Sequence, residues 1–357
     1  MRKIIFVLAI IAAVSARAEQ KNVQMLTNLS DAQLGQVMDN FAASLGVHCD
    51  FCHVHKEGTH DWDMASDDKQ EKKTAREMIR MVIDLNEKSF HGQPRVGCYT
   101  CHLGKEHPSS AVALPVPPIP PTKTHEAEEA ERKALPAAKD ILAKYLTAIG
   151  GDAAAKKLST TSMTAKGTRT GANGQSFPVE IYRSGGNVLV RTTPPDGPAM
   201  SQMYGAEGGW MVGRQGSRAL SAADAAQGLA AARAYDPIIP PLPENARVFG
   251  KATIDGHEAW TVGVSRSDKS RERIWFDATT GLVLRRLVTV TSPVGQIPTQ
   301  TDYDDYRDVA GVKIPFTVSV SSVNGSATRK YTSIELGAPV DEKLFAAPPP
   351  TPPPAPK

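Results

Sequence analysis

The sequence predicts a multidomain chain. Its N-terminal module is mainly α, and a Pro-rich linker joins it to an α+β domain with a large curled antiparallel sheet and a helix packed on it. Three observations predict this. Two apolar stripes at helical spacing fall before residue 90, each followed by a Cys-x-x-Cys-His run. Prolines cluster between Pro108 and Pro121. Beyond Gly151, strand-like runs are punctuated by Gly-bearing turn pairs.

The first eighteen residues read as an export signal. Arg2 and Lys3 form a basic start, Ile4 to Val14 is apolar, and Ala16-Arg17-Ala18 has the small-residue pattern of a cleavage site. Cleavage would remove Arg2, Lys3 and Arg17, and with them the formal charge of +3. No cysteine near the cleavage site would take a lipid, and no later apolar run has the length of a transmembrane helix. The expectation is a periplasmic protein. Residues 19–107 hold 10 Lys/Arg against 14 Asp/Glu, so this module is acidic and suits a basic partner. No basic stripe points to nucleic acid.

Within that module, Ser30-Asp31-Ala32-Gln33 is a capping box. Leu34, Val37, Met38, Phe41 and Leu45 form an apolar face behind it, and Gly46 is a helix stop. Cys49-Asp50-Phe51-Cys52-His53 follows. His55 to Ala65 reads as a polar loop. Asp67 with Gln70 is then expected to open a second helix running to about Ser89, with Met78, Met81, Val82 and Leu85 as its apolar face. A loop leads to Cys98-Tyr99-Thr100-Cys101-His102.

C-x-x-C-H is the attachment pattern of a covalent c-type haem. Two thiols three residues apart can add to the two vinyl groups, and the next residue sets an imidazole on the iron. The two motifs use all four cysteines. Zinc ribbons pair C-x-x-C without needing His after each pair, and a dithiol motif would occur once, at a strand-to-helix turn. The expected cofactors are two covalently bound haem c groups, with Cys49, Cys52, His53, Cys98, Cys101 and His102 as the binding residues. A closed electron-transfer iron takes a second axial ligand, and a thioether raises its potential. Each motif follows its own Met-bearing helix, which selects Met38 for the first haem and Met78 for the second. Met81, one turn on, and His91, in the following loop, are the competing ligands. A Met on a helical face is otherwise core packing.

Several runs in order carry a family resemblance. They are Asn22-Val23-Gln24-Met25-Leu26, the Met38 helix, Ala65-Ser66-Asp67-Asp68-Lys69, Ala75-Arg76-Glu77-Met78-Ile79, and Cys98-Tyr99-Thr100-Cys101-His102. Over about residues 22–107 the chain resembles the cytochrome c subunit of photosynthetic reaction centres. The resemblance implies helix-borne Met ligands, matching Met38 and Met78, and His ligands, matching His53 and His102. It also implies redox partner proteins, including a membrane-bound reaction centre or respiratory complex. The well-known members carry four haems in two such halves and are often lipid-anchored; this chain has one half. A loop His of the family reaches a haem of the other half, and His91 occupies about that place.

Residues 108–135 form the linker, Pro-rich and then charged from His125 to Lys133. Residues 136–347 make the second domain, opened by a helix from about Pro136 to Ile149 with Gly150-Gly151 as its stop. Asn173-Gly174, Gly185-Gly186, Asp255-Gly256, Thr280-Gly281 and Asn324-Gly325 are hairpin turns. Val312 to Ser321 alternates as a half-buried strand, and Pro315 predicts that it lies at a sheet edge. Ser221 to Tyr235 is an Ala-rich helix, and 348–357 a disordered Pro-rich tail. Tyr303-Asp304-Asp305-Tyr306-Arg307, Gly311-Val312-Lys313-Ile314-Pro315-Phe316 and Phe345-Ala346-Ala347-Pro348 are similar to the half-barrel of LolA-like lipoprotein carriers. That resemblance implies a concave apolar surface for a hydrophobic ligand or a partner segment; the alternative is a packed domain without a ligand.

No catalytic constellation such as G-x-S-x-G is present. The functional expectation is one-electron transfer by a dihaem c-type cytochrome, not an enzyme. The alternatives are a dihaem peroxidase-type enzyme with one open haem, and a lipid- or lipoprotein-binding protein with an accessory redox module.

Overall fold

The computed structural model describes residues 21–55, 62–112, 114–116, 118, 124–195, 197–213, 216–235, 243–266 and 270–349. The expected export signal and the end of the expected tail lie outside these. No helix of the described residues is long and apolar enough to cross a membrane.

The N-terminal part is helical. It comprises α1 (Asp31–Leu45), α2 (Gln70–Phe90) and the short α3 (Cys98–His102), with a two-residue ladder between β1 (Val54–His55) and β2 (Trp62–Asp63) inside the expected loop. The solvated α4 (His125–Lys133) follows, capped by Thr124 and burying no residue. Next come α5 (Ala138–Ile149) and α6 (Gly151–Thr160). Gly150, at φ 114°, ends α5 as expected, but α6 starts at once where a β-rich region was expected. Ala154 and Leu158 bury one face of α6.

The remaining strands form one antiparallel sheet of thirteen, with α7 (Ala222–Arg233) inserted. They are β3 (Met163–Gly171), β4 (Ser176–Ser184), β5 (Asn187–Thr192), β6 (Met200–Gly205), β7 (Gly208–Gly213), β8 (Gly216–Leu220), β9 (Arg247–Ile254), β10 (His257–Ser265), β11 (Arg271–Asp277), β12 (Val283–Ser292), β13 (Gly295–Val309), β14 (Val312–Ser322) and β15 (Gly325–Leu336). The order is β8-β7-β6-β5-β4-β3-β15-β14-β13-β12-β11-β10-β9, a meander whose first and last strands meet at β3 and β15. All five expected turn pairs join neighbouring strands.

One core gathers Val188 and Val190 of β5, Val262 and Val264 of β10, and Ile141, Tyr145 and Ile149 of α5. β5 and β10 stand eight ladder steps apart, roughly 38 Å in a flat sheet at about 4.8 Å per step. A twelve-residue helix is about 18 Å long. The shared core therefore requires a curled sheet.

The edge position expected from Pro315 is not found: β14 lies between β13 and β15. The ladder to β15 begins only at Thr317 and Lys330, so the N–H that Pro315 lacks removes no bond on that side.

The helical part docks on the sheet at two places. The turn between β12 and β13 presents Val294, fully buried, and β13 presents Ile297, to Leu26, Val37 and Ile79. At the start of α1, Ala32 N–H donates to Asp224 Oδ1 of α7 (3.1 Å), and Gln227 Nε2 donates to the Ala32 carbonyl (3.4 Å).

Candidate haem-binding site

α1 opens as its sequence dictates. Ser30 Oγ accepts from Gln33 N–H (3.3 Å), and Gln33 Oε1 from Ser30 N–H (2.9 Å). Gly46, at φ 68°, ends the helix and lies against the Gly104 carbonyl, where a Cβ would come within 2.3 Å. The Gly104 N–H donates to the Ser44 carbonyl (2.9 Å). The end of the first helix is thereby seated on the end of the second motif, an approach only glycine permits.

Both motifs are helical turns. Cys49–Phe51 is a 3-10 turn in which His53 N–H donates to the Cys49 carbonyl (2.9 Å). Cys98–His102 is α3, and Thr100 Oγ1 accepts from Gly97 N–H (3.0 Å). Residues at i, i+3 and i+4 of a helical turn lie on one side of it, and that is the spacing of the two Cys and the His in each motif. All four cysteines are free thiols. Burial pushes the Cys98 thiol up to about 11. Burial and the charge of Glu71 raise that of Cys52. Among the described residues no group of three or more His, Cys, Asp or Glu is assembled for a metal ion, so the two thiol pairs do not converge on a shared zinc centre.

The imidazoles supply the test of fit to haem. A ligating His holds one ring nitrogen on a carbonyl and keeps the lone pair of the other for the metal. His102 Nδ1 faces the carbonyls of Lys105 and Glu106, both at 3.0 Å, which assigns the lone pair to Nε2. The buried Nδ1 of the His53 ring has no hydrogen-bond partner. Burial, then Lys72, lowers the His53 pKa, and the Met64 backbone opposes them. This donor set fits two covalent haems, with Cys49, Cys52 and His53 for one and Cys98, Cys101 and His102 for the other.

The methionines are placed differently from one another. Met38 is partly buried beside Val37, Ile79 and Val294. Met78 and Met81 are 41% and 50% exposed. The expected apolar face of α2 is thus corrected. Its packed stripe is Ile79, Val82 and Asn86, and Met78, Met81 and Leu85 form a second, solvent-facing stripe beside it. Met81 and Leu85 line an open depression of about 680 Å³ with Arg76, Arg80, Asp84 and Lys88; Met78 does not. His91 is exposed, closing α2 in the left-handed conformation (φ 53°).

Residues without an assigned role in the sequence hold this arrangement. Asn86 is buried; its Oδ1 accepts from Arg95 and Val96 N–H (3.0 Å each), and its Nδ2 donates to the Val96 carbonyl (2.8 Å). It ties α2 to the strand of chain entering Cys98. Asp67, expected at the start of α2, does not cap it; Lys69 occupies that place. Instead Asp67 accepts from Asn22 Nδ2 (2.9 Å) and pairs with Arg76 (2.9 Å) and Lys72 (3.4 Å), which hold its carboxyl well below the usual range. Asn22 Nδ2 also reaches the Ala65 carbonyl (2.6 Å), and Arg76 the Asn22 carbonyl (3.2 Å). Asn22, Ala65, Asp67 and Arg76 belong to three separate runs of the resemblance and meet here. Their separation in sequence hid this.

Residues are 36% identical over an 87-residue stretch to cytochrome c-554 of Chloroflexus aurantiacus, covering 23% of this chain and 20% of that one. The chain thus spans about a fifth of that relative's length. Among solved structures, a LolA superfamily protein from Nitrosomonas europaea is similar at 11% identity and a TM-score of 0.39, covering 59% of this chain and 98% of that one. A lipoprotein-sorting protein domain from Vibrio parahaemolyticus is similar at 11% identity and a TM-score of 0.37, covering 58% and 94%. The stretch from residue 9 to residue 165, wider than the expected 22–107, matches the family model of the photosynthetic reaction centre cytochrome C subunit.

Proposed function

We propose that this protein is a periplasmic dihaem c-type cytochrome that transfers single electrons. Cys49 and Cys52 tether one haem and Cys98 and Cys101 the other; His53 and His102 are the proximal ligands, and Met38 and Met78 the distal ones. When bound, the haems supply the one-electron couple. The chain supplies their ligands, their burial and their spacing. The haem module is residues 19–107, the linker 108–135 and the sheet domain 136–347. Its partners are redox proteins, a basic donor or acceptor suiting the acidic module, with a membrane-bound reaction centre or respiratory complex as the class of acceptor.

The observation that carries this reading is the pairing of free thiols, on a helical turn, with an imidazole that at the second motif commits one nitrogen to two carbonyls. Absorption and haemochrome analysis of the exported protein test it. Two covalent haems per chain, low-spin in both oxidation states, are expected. A high-spin haem that binds carbon monoxide in the unmutated protein would move the reading to an enzyme, and no covalent haem would end it.

A further inference from the structure

Lys72 is a lysine held out of water. Its side chain is 12% exposed, and its ammonium donates to the Met64 carbonyl (2.8 Å) and the Ser66 carbonyl (2.6 Å) and lies 3.4 Å from Asp67. Met64 stands beside His53, because the next residue pair, Val54 and Asp63, are ladder partners. The ammonium is therefore held on the neighbour of the side chain assigned to the first iron, and Lys72 is among the charges acting on that imidazole. Asp67 does not neutralise that ammonium, because it is shared with Arg76 at 2.9 Å. Lys72 and Arg76 thus share that one carboxylate. Lys69 and Glu71 also act on this site, at Cys52, with opposite signs. At the second motif, the carbonyls of Lys105 and Glu106 that face His102 accept from no Lys or Arg side chain among the described residues.

We propose that Lys72 is a positioning residue that raises the reduction potential of the first haem and makes the two haems inequivalent. The proposal rests on the dihaem reading. Ferric haem carries one more positive charge than ferrous, so a nearby cation disfavours the ferric form, the more so with little water between.

The test is a spectroelectrochemical titration of the full-length holoprotein and its K72M, K72R and D67N variants, after haem has been counted. Fewer than two haems in the unmutated protein overturns the dihaem reading and this proposal with it. With two present, K72M is expected to lower one midpoint only. The ferrous-to-ferric ratio of that haem at a set potential should fall at least threefold, about 30 mV for one electron. K72R should keep the parent value, and D67N should move the same midpoint upward. Unchanged midpoints in K72M, equal shifts of both haems, or K72M and D67N moving together would overturn the role of Lys72 while leaving the dihaem reading intact.

Discussion

Single residues carry much of the assignment, and they can be tested singly. Met38→Ala and Met78→Ala should each lower one reduction potential and remove part of the weak far-red band of Met-ligated ferric haem. Met81→Ala should do neither. If Met81→Ala alone removes the band, Met81 is the second ligand, in keeping with its place on the open depression of α2. Asn86→Ala leaves three groups of the loop before Cys98 without their partner. It should cost about 2–3 kcal/mol in denaturant unfolding. Asp67 allows a pH prediction. Its folded pKa is depressed, so its contribution to stability is fully present above the unfolded carboxylate value, about 3.9, and is lost as pH falls through the folded one. The melting temperatures of the parent and of Asp67→Asn should differ at neutral pH and converge in strong acid. A constant gap would show that the carboxylate charge is not what Asn22, Lys72 and Arg76 hold.

At the scale of elements, the β12–β13 turn is the wedge between sheet and haem module. Gly97, which caps α3, lies against it: a Cβ there would stand 2.9 Å from the Val294 carbonyl oxygen and 3.0 Å from the Gly295 Cα. Both neighbours are backbone, so Gly97→Ala must push the turn away from the second motif. A loss of about 1–3 kcal/mol is expected, measured as a lower unfolding midpoint with a shifted haem-2 spectrum. Val294→Ala empties part of the same contact and should cost about 2 kcal/mol without touching α3. α2 shows why such contacts decide more than periodicity does. It has two apolar stripes, and only the one carrying Ile79 and Val82 found a partner surface.

For the whole molecule, the haem module and the sheet share a core although a Pro-rich linker runs between them. Val294 and Ile297 pack with Leu26, Val37 and Ile79, and α7 receives the first turn of α1. Residues 19–107 expressed alone would expose that cluster. They should melt lower than the same module in the full chain, and restoring 136–347 should raise the transition. Identical transitions would mean that the sheet is a passenger.

Sequence alone determined what depends on near neighbours. The capping box of Ser30 and Gln33, the stop at Gly46, the two C-x-x-C-H turns and the five hairpin turns are each written within a few residues, because an i to i+4 bond or a left-handed turn needs no distant partner. α6 was also within reach, since Ala154 and Leu158 stand at helical spacing, but the Gly150-Gly151 pair reads locally as a stop. Tertiary structure decided the rest. It chose which stripe of α2 is buried, drew Asp67 from a cap to Asn22 and Arg76, set Pro315 inside the sheet where β15 does not yet pair, and seated Val294 beside Ile79. These are choices between surfaces far apart in the chain, and apolar burial settles them only when both surfaces are present.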